Sequence, residues 1–525
     1  MKNKFARFLL GTAIAIALTL LLNSTVGSLY TVLKWSVYGI MATIVVVVLM
    51  ENRSPQTTLS WLFVLFSYPT LGIILYLLFG RNSRKRKHVQ TYINIAKQAR
   101  LDAGVDTEVR KATSLIHMDH IGTQTPEKPE LVSHSEVVAD RIRLIGGDNC
   151  VGGSSADLLT NGDETFNAIR TAIAEAAHHI HVQYYIYRSD RLGTELRDLL
   201  IEKAKQGVQV RFMYDGLGSH ALRDRFLAPM REAGIKVAAF DPIFAYSLTQ
   251  SANYRNHRKI VVVDGQVAFT GGLNVGDEYM GQSKMGFWRD SHLRIEGYAV
   301  HDLHRIFLQD WIYAASRTYK ETWKQFMHNE DYFPNHLADY KGSKGGIQII
   351  PGGPNYKDAK MRDVFLSLMA GAKESIWITT PYFVPDQETL TFLQLAASSG
   401  IDVRILYPGK SDSLLSDQAS QSYFAVLLAH GVQIYRYKEN FTHAKMMLID
   451  GKIASVGTAN MDIRSFRLNY EVTAILYDMP VIDDILYSFY EDFKCSTPIN
   501  PREFVHRKVS KRIVESLTRL LSPLL

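Results

Sequence analysis

Only two cysteines, Cys150 and Cys495, occur in 525 residues. So distant a pair gives neither a disulfide framework nor the closely spaced thiols of a structural zinc site, and a catalytic part in the reducing cytosol is expected. Charge is also scarce, but only locally. None falls on the 26 residues between Arg7 and Lys34, the 16 between Lys34 and Glu51, or the 27 between Arg53 and Arg81. Two of these runs exceed the roughly 20 residues that cross a bilayer. The middle one, WSVYGIMATIVVVVLM, reaches that length if Lys34 snorkels to the interface. Residues 1–80 are therefore expected to form a membrane anchor of two or three apolar helices. A cleaved signal peptide would suit Lys2, Lys4 and Arg7, but no small-x-small cleavage site follows the first run.

Immediately beyond lies GRNSRKRK, with five basic residues between positions 81 and 87. The positive-inside rule holds that end, and hence the large C-terminal part, in the cytoplasm. Three full spans would leave the basic N-terminus outside, against the same rule, so two and three spans both stay open. Arg84 to Lys87 serve as a topology signal and are also suited to contact anionic headgroups. The formal net charge of +7 fits a partner that is anionic lipid or nucleic acid without choosing between them. A basic and polar connector is expected over residues 81–135.

After the connector the chain repeats itself, which predicts two half-domains, 136–340 and 341–500. The first copy runs IHVQYYIYRSD, TELRDLLIEKAKQGV, QVRFMYDG, and the second IWITTPYFVPD, ETLTFLQLAASSGI, DVRILYPG. In each, β-branched and aromatic runs flank a segment of helical period that stops at Gly207 or Gly400. Strand, helix, strand alternation predicts an α/β fold with parallel strands and crossover helices.

Both copies then carry H-x-K-x-x-x-x-D: His257, Lys259 and Asp264 in HRKIVVVDG, and His443, Lys445 and Asp450 in HAKMMLIDG, 186 residues apart. On a strand, the histidine and lysine of each copy share one face. A lone strand histidine is ordinarily structural; the same constellation twice points to chemistry. Each aspartate precedes a glycine, a short strand and a glycine-rich turn with asparagine, FTGGLN or VGTAN, followed by Glu278 or Glu471. An imidazole can attack or donate a proton, and lysine and asparagine supply donors to a phosphoryl group. Glycines, here Gly271, Gly272 and Gly457, let backbone N–H groups approach an oxyanion. In an in-line displacement the attacking and leaving atoms lie on opposite faces of phosphorus, so two histidines divide the work naturally.

The doubled motif resembles that of the phospholipase D superfamily. Within it TTPYFVPD, FTHAKMMLIDGKIASVGTANMDIRSFRLNYEV, SYPTLGIILYLLFGRN and the ending LLSPLL resemble the bacterial cardiolipin synthases, over nearly the whole chain. The resemblance implies two αβα half-domains with mixed sheets forming one pseudo-two-fold active site, behind N-terminal transmembrane helices in the bacterial cell membrane. It implies that His257 attacks the phosphate of one phosphatidylglycerol, that His443 protonates the departing glycerol, and that a second phosphatidylglycerol then takes the phosphatidyl group. Lys259, Lys445, Asn274 and Asn460 would hold the phosphate, and Glu278 and Glu471 would orient the histidines. Asp264 and Asp450 are better suited to brace the motif than to react. The sequence alone is symmetric enough to reverse the two histidines. No metal or organic cofactor is expected, and the partners are phosphatidylglycerol and anionic membrane lipids without nucleic acid.

Hydrolysis to phosphatidic acid, with water as acceptor, shares the covalent intermediate and is the alternative. A nuclease would show a basic groove with stacking aromatics, against which the apolar anchor speaks. A non-catalytic scaffold would let one motif decay. HHIHV and HMDH lack carboxylate or cysteine partners and are not expected to bind metal. GGPN reads as a turn. Asp462, Arg464 and Ser465 either shape a headgroup pocket or form a buried ion pair. Residues 501–525 read as a basic amphipathic helix, with Val505, Val509, Ile513, Leu517 and Leu521 four apart among Arg507, Lys508, Lys511, Arg512 and Arg519. It either lies in a headgroup layer or docks on the catalytic part.

Overall fold

The computed structural model describes residues 27–51, 55–80, 87–102, 133–146, 149–242, 254–283, 286–327, 329–334, 344–356, 359–438, 441–519 and 522. Most of the first apolar run, Arg81 to Arg86, the HMDH segment and Leu521 lie outside them. The chain forms two units, Met1–Lys87 and His88–Leu525.

In the first unit, helix α1 (Gly27–Met50) takes Lys34 into its length, and its 21 residues Tyr30–Met50 are long and apolar enough to cross a membrane. The third charge-free run departs from expectation. It breaks into α2 (Pro55–Ser67), α3 (Pro69–Leu75) and a π turn, Tyr76–Gly80. Pro69 excludes the helical region at Tyr68, whose φ of −141° ends α2 after 13 residues, about 20 Å of helix. At Gly72 a Cβ would sit 2.7 Å from the Val64 carbonyl oxygen, so only glycine lets α3 fold this closely on α2. Met41, Ile44 and Val48 of α1 pack with Leu65, Ile73 and Tyr76.

In the second unit, α4 (Lys87–Asp102) and α5 (His134–Gly146) precede two sheets. The first contains β1 (Ser154–Thr160), β2 (His179–Tyr184), β3 (Gln209–Asp215), β4 (Lys236–Phe240), β5 (Ile260–Val263), β6 (Val267–Gly271) and β7 (Ser291–Gly297), in spatial order β1-β7-β6-β5-β2-β3-β4. The second contains β8 (Gly346–Gly352), β9 (Ser375–Thr379), β10 (Asp402–Pro408), β11 (Gln433–Tyr437), β12 (Met446–Ile449), β13 (Ile453–Gly457), β14 (Glu471–Tyr477) and β15 (Ser496–Pro498). Its order, β15-β11-β10-β9-β12-β13-β14-β8, is the first order read backwards with one added edge strand. Three strands per sheet are parallel, β2-β3-β4 and β9-β10-β11, and the remaining pairings are antiparallel.

Local chemistry repeats with the topology. The crossover helix α6 (Arg191–Lys205) is capped by Asp190, which accepts from Gly193 N, and α7 (Gln387–Ser398) by Asp386, which accepts from Thr389 N. They stop before Gly207 and Gly400, both left-handed, with φ of 97° and 93°. The motif hairpins turn on Asp264–Gly265 and Asp450–Gly451, all four with positive φ, as a type I′ turn requires.

The inner faces of the two sheets share one core. Val262, Leu293 and Ile295 meet Ile349, Ala474 and Leu476, with Trp311 of α8 (Ala299–Ala315) and Phe489 of α9 (Val481–Lys494). Two segments before β1 also join the body. Val138 and Ile142 of α5 pack in the outer core of the second half, not the first half to which the sequence reading assigned residues from 136. Within the supposed polar connector, Tyr92 of α4 is fully buried and donates to Asp310 at 2.6 Å.

Candidate active site

The residues just before β5 and β12, which carry the two histidines, pair with the other half. His257 N–H donates to the Tyr470 carbonyl at 2.9 Å, and His443 N–H to the Arg289 carbonyl at 2.7 Å. Asn256 bridges Tyr470, and Thr442 pairs with Arg289, each in parallel register. The residue following each partner is an acid. His257 Nδ1 therefore lies 2.9 and 3.1 Å from the Glu471 carboxylate, and His443 Nδ1 lies 2.7 Å from Asp290 Oδ2. Each histidine is held by the carboxylate of the opposite half.

Glu278 does not take this part. It accepts from Arg188 Nε at 2.6 Å, and the sequence reading missed Asp290, which does. The signal was present: Asp290 immediately precedes β7 as Glu471 opens β14. A longer first copy, carrying the 3₁₀ turn Asp277–Met280, moves the acid from 28 residues past the histidine to 33.

Around this pair the charges are buried. Burial, opposed by Glu471, holds His257 down at about 4, and burial with the Lys445 charge holds His443 at about 3. Burial alone would raise Glu471 and Asp290, but the facing histidines and lysines outweigh it and keep both below the ordinary carboxylate range. The resting pairs are thus ionised carboxylate and neutral imidazole, with Nδ1–H donated to the carboxylate and Nε2 left for substrate. Lys259 Nζ donates to the His257 carbonyl at 2.7 Å, and burial and Lys445 push its pKa well below the usual lysine value. Lys445 Nζ donates to the His443 carbonyl, lies 3.0 Å from His443 Nδ1, and is lowered by burial to about 8.

The other expected site residues bond within their own halves. Asp264 accepts from Ala177, His178 and His179 N–H, and Asp450 from Lys373, Glu374 and Ser375 N–H, at 2.7–2.9 Å. Both close the far end of the motif strand. The Gly272 amide donates to Ser291 O and the Gly457 amide to Lys445 O, so neither is available to an oxyanion. The glycines admit their neighbours instead. A Cβ at Gly271 would strike His292, at Gly272 the Asp290 carboxylate, and at Gly457 the Val472 carbonyl. Asn274 accepts from Ile186 N–H and donates to Tyr279 Oη, while Asn460 N–H donates to Ser465 Oγ. Asp462 accepts from Ser465 N–H at 2.6 Å and caps the short helix Ile463–Arg467.

Arg258, between His257 and Lys259, is a second residue the sequence did not flag. It donates to Asp310 at 2.6 Å, to the Glu471 carbonyl at 2.9 Å and to the Gly352 carbonyl at 3.0 Å, tying the first motif to the second half. His179, His181 and His304 do come together, with nitrogens within 4.8 Å. His181 bonds His304 at 2.9 Å and Arg211 at 3.2 Å, and the His179 and His304 rings stack at 17°. Stacked rings do not aim their edges at one ion, and a guanidinium in contact disfavours a cation.

Comparison with known proteins gives a consistent answer. The family described as "Cardiolipin synthase, PLD-like domain" matches residues 169–311 and 365–493, and "Phospholipase_D-nuclease N-terminal" matches 39–81. The chain is 50% identical to "Cardiolipin synthase 1" of Bacillus anthracis over 100% of both chains. It is 43% identical to "Cardiolipin synthase" of Geobacillus sp. (strain WCH70) over 91% of each. The fold resembles a crystal structure of phosphatidylserine synthase from Haemophilus influenzae Rd KW20, at a TM-score of 0.56 and 13% identity, covering 75% of this chain and 100% of that one.

Proposed function

The chain belongs to the cardiolipin synthases of the phospholipase D superfamily, and from that membership we propose that it joins two phosphatidylglycerols into cardiolipin, releasing glycerol. The observation that carries the reading is the crossed pairing, Glu471 on His257 and Asp290 on His443. It supports one site built by both halves, with two imidazoles free at Nε2 for opposite faces of a phosphorus.

His257 Nε2 attacks the phosphorus of the first lipid, and the bond from phosphorus to the glycerol oxygen breaks as His443 gives that oxygen a proton. The hydroxyl of a second phosphatidylglycerol then loses its proton to His443 and attacks, breaking the phosphorus–nitrogen bond. His257 is suited to the first step because it rests neutral, with Glu471 ready to stabilise the charge it acquires. His443 also rests neutral, so it becomes an acid only once the phosphodiester anion has entered beside Lys445 and offset that positive charge. Lys259 and Lys445 hold the phosphoryl oxygens.

The purified full chain, given phosphatidylglycerol as sole lipid, should yield cardiolipin and an equimolar amount of glycerol by mass spectrometry. Phosphatidic acid alone would make water the acceptor and overturn the synthase reading.

For placement, we propose that α1 crosses the bacterial cell membrane, that residues 55–80 form a second, interrupted membrane element, and that the catalytic unit is cytoplasmic. Support comes from the length of Tyr30–Met50 and from the basic run Arg81 to Lys87. Cys495 is exposed, so a membrane-impermeant maleimide should label it in inside-out vesicles and not in right-side-out ones. The reverse pattern would invert the topology.

A further inference from the structure

The last helix of the chain is docked with its polar side inward. Helix α10 (Val509–Arg519) packs on α11 (Leu414–Ala429). The α10 residues turned to the protein are Glu515 and Thr518, both almost fully buried, with Glu515 paired to Arg507. Arg519 lies over the Tyr423 ring at 4.6 Å, and Tyr423 Oη bonds Ser522 at 3.0 Å. Those turned to solvent are aliphatic: Val509, Ile513, Val514 and Leu517, with Val505 one turn earlier, are between 49% and 67% exposed. An amphipathic helix on a soluble surface does the opposite, burying its apolar stripe and wetting its charges.

The exposed side is also strongly basic. Residues 501–519 hold six cations (Arg502, Arg507, Lys508, Lys511, Arg512, Arg519) against two acids (Glu503, Glu515), and Arg507 already neutralises Glu515. Lys508, Lys511 and Arg512 are exposed beside the aliphatic residues. The underlying α11 opens with Leu414 and Leu415, also exposed, two residues after Asp412, which is close enough to feel the charge of Lys445.

We propose that α10 is a bilayer-docking helix, set on the catalytic unit so that its aliphatic side enters an anionic lipid surface while Lys508, Lys511 and Arg512 meet the headgroups. A protein partner with a matching apolar groove lacks the second half of this match, and a second copy of the chain would bring like charges together. A sheet of anionic lipid satisfies both at once. The docking holds the catalytic unit at the lipid surface by a contact separate from the N-terminal anchor. It rests on the proposed lipid substrate only for its purpose, not for its geometry.

The test uses the full chain in vesicles, with Cys150 and Cys495 replaced by Ser and Ile513→Cys carrying an environment-sensitive NBD label. Vesicles contain either phosphatidylcholine alone or phosphatidylcholine with phosphatidylglycerol, each with and without doxyl-labelled lipid. The expected result is a several-fold rise and blue shift of emission in the anionic vesicles, quenched by the doxyl lipid and reduced by Lys508→Glu/Lys511→Glu. Emission that stays water-like in both vesicles overturns the proposal. So does a blue shift that doxyl lipid leaves unquenched, which would place the helix against protein. Lipid quenching that is equal in neutral vesicles overturns the role of charge. None of these readings uses turnover, so a failure here is distinct from a failure of the synthase reading.

Discussion

The two halves repeat the same order of seven strands, yet they treat their histidines differently. Among the described residues His257 has Glu471 alone at Nδ1, and its lysine bonds only the backbone. At His443 the Nδ1–H goes to Asp290, and the Lys445 ammonium lies 3.0 Å from the same nitrogen. The first motif also contains Arg258, locked to Asp310 and to the Glu471 carbonyl, where the second has Ala444. A duplicated scaffold therefore supplies position twice and chemistry in two versions. In the proposed reaction the histidine on the Glu471 carboxylate acquires positive charge, and the one beside the Lys445 ammonium gives its proton up.

The largest effects should come from the histidines themselves. His257→Ala and His443→Ala should each lower cardiolipin formation by on the order of 10⁴-fold or more, with the folded, membrane-bound protein retained. The contrast appears with radiolabelled phosphatidylglycerol: label should remain covalently attached to His443→Ala and be absent from His257→Ala. The reverse would exchange the two roles.

A smaller difference should appear with pH. Lys445 is charged below about 8 and neutral above it, so kcat/KM should fall as pH rises through about 8, while Lys445→Arg should lose that alkaline limb. At the other end, His257 is protonated as pH falls through about 4, and activity should disappear there. An alkaline limb unchanged in Lys445→Arg would assign it to another group.

The bracing aspartates should act on stability and not on chemistry. Asp264→Ala or Asp450→Ala removes the acceptor of three backbone N–H groups and should cost about 2–4 kcal/mol, read as a lowered melting temperature. The fraction that stays folded should turn over normally; loss of turnover without loss of stability would make these residues reactive.

The parts of this arrangement set by local chemistry were legible in the sequence. The strand alternation, the helix stops at Gly207 and Gly400, the Asp-Gly turns and the shared face of each histidine and lysine follow from spacing within a few residues. What was not legible depends on tertiary contacts, as between His443 and Asp290, 153 residues apart in the chain. Asp290 and Glu278 are both acids downstream of the first motif, and only the pairing of His443 with Arg289 tells which one reaches a histidine. The glycines looked like phosphate binders because a turn sequence does not reveal that Gly272 makes room for the Asp290 carboxylate. Likewise α5 reads as the start of the first half, though Val138 and Ile142 complete the second. The interruption at Tyr68–Pro69 was readable from Pro69 but was outweighed by the unbroken lack of charge.

The crossed arrangement stands most directly on which acid serves His443. Turnover of Asp290→Asn, measured beside Glu278→Gln under one set of conditions, tests it. Asp290→Asn should lose on the order of 10²–10⁴-fold in kcat, as expected when a histidine loses its orienting carboxylate. Glu278→Gln, which breaks only a pair with a half-exposed Arg188, should stay within about a factor of two. An inactive Glu278→Gln beside an active Asp290→Asn would contradict the crossed arrangement.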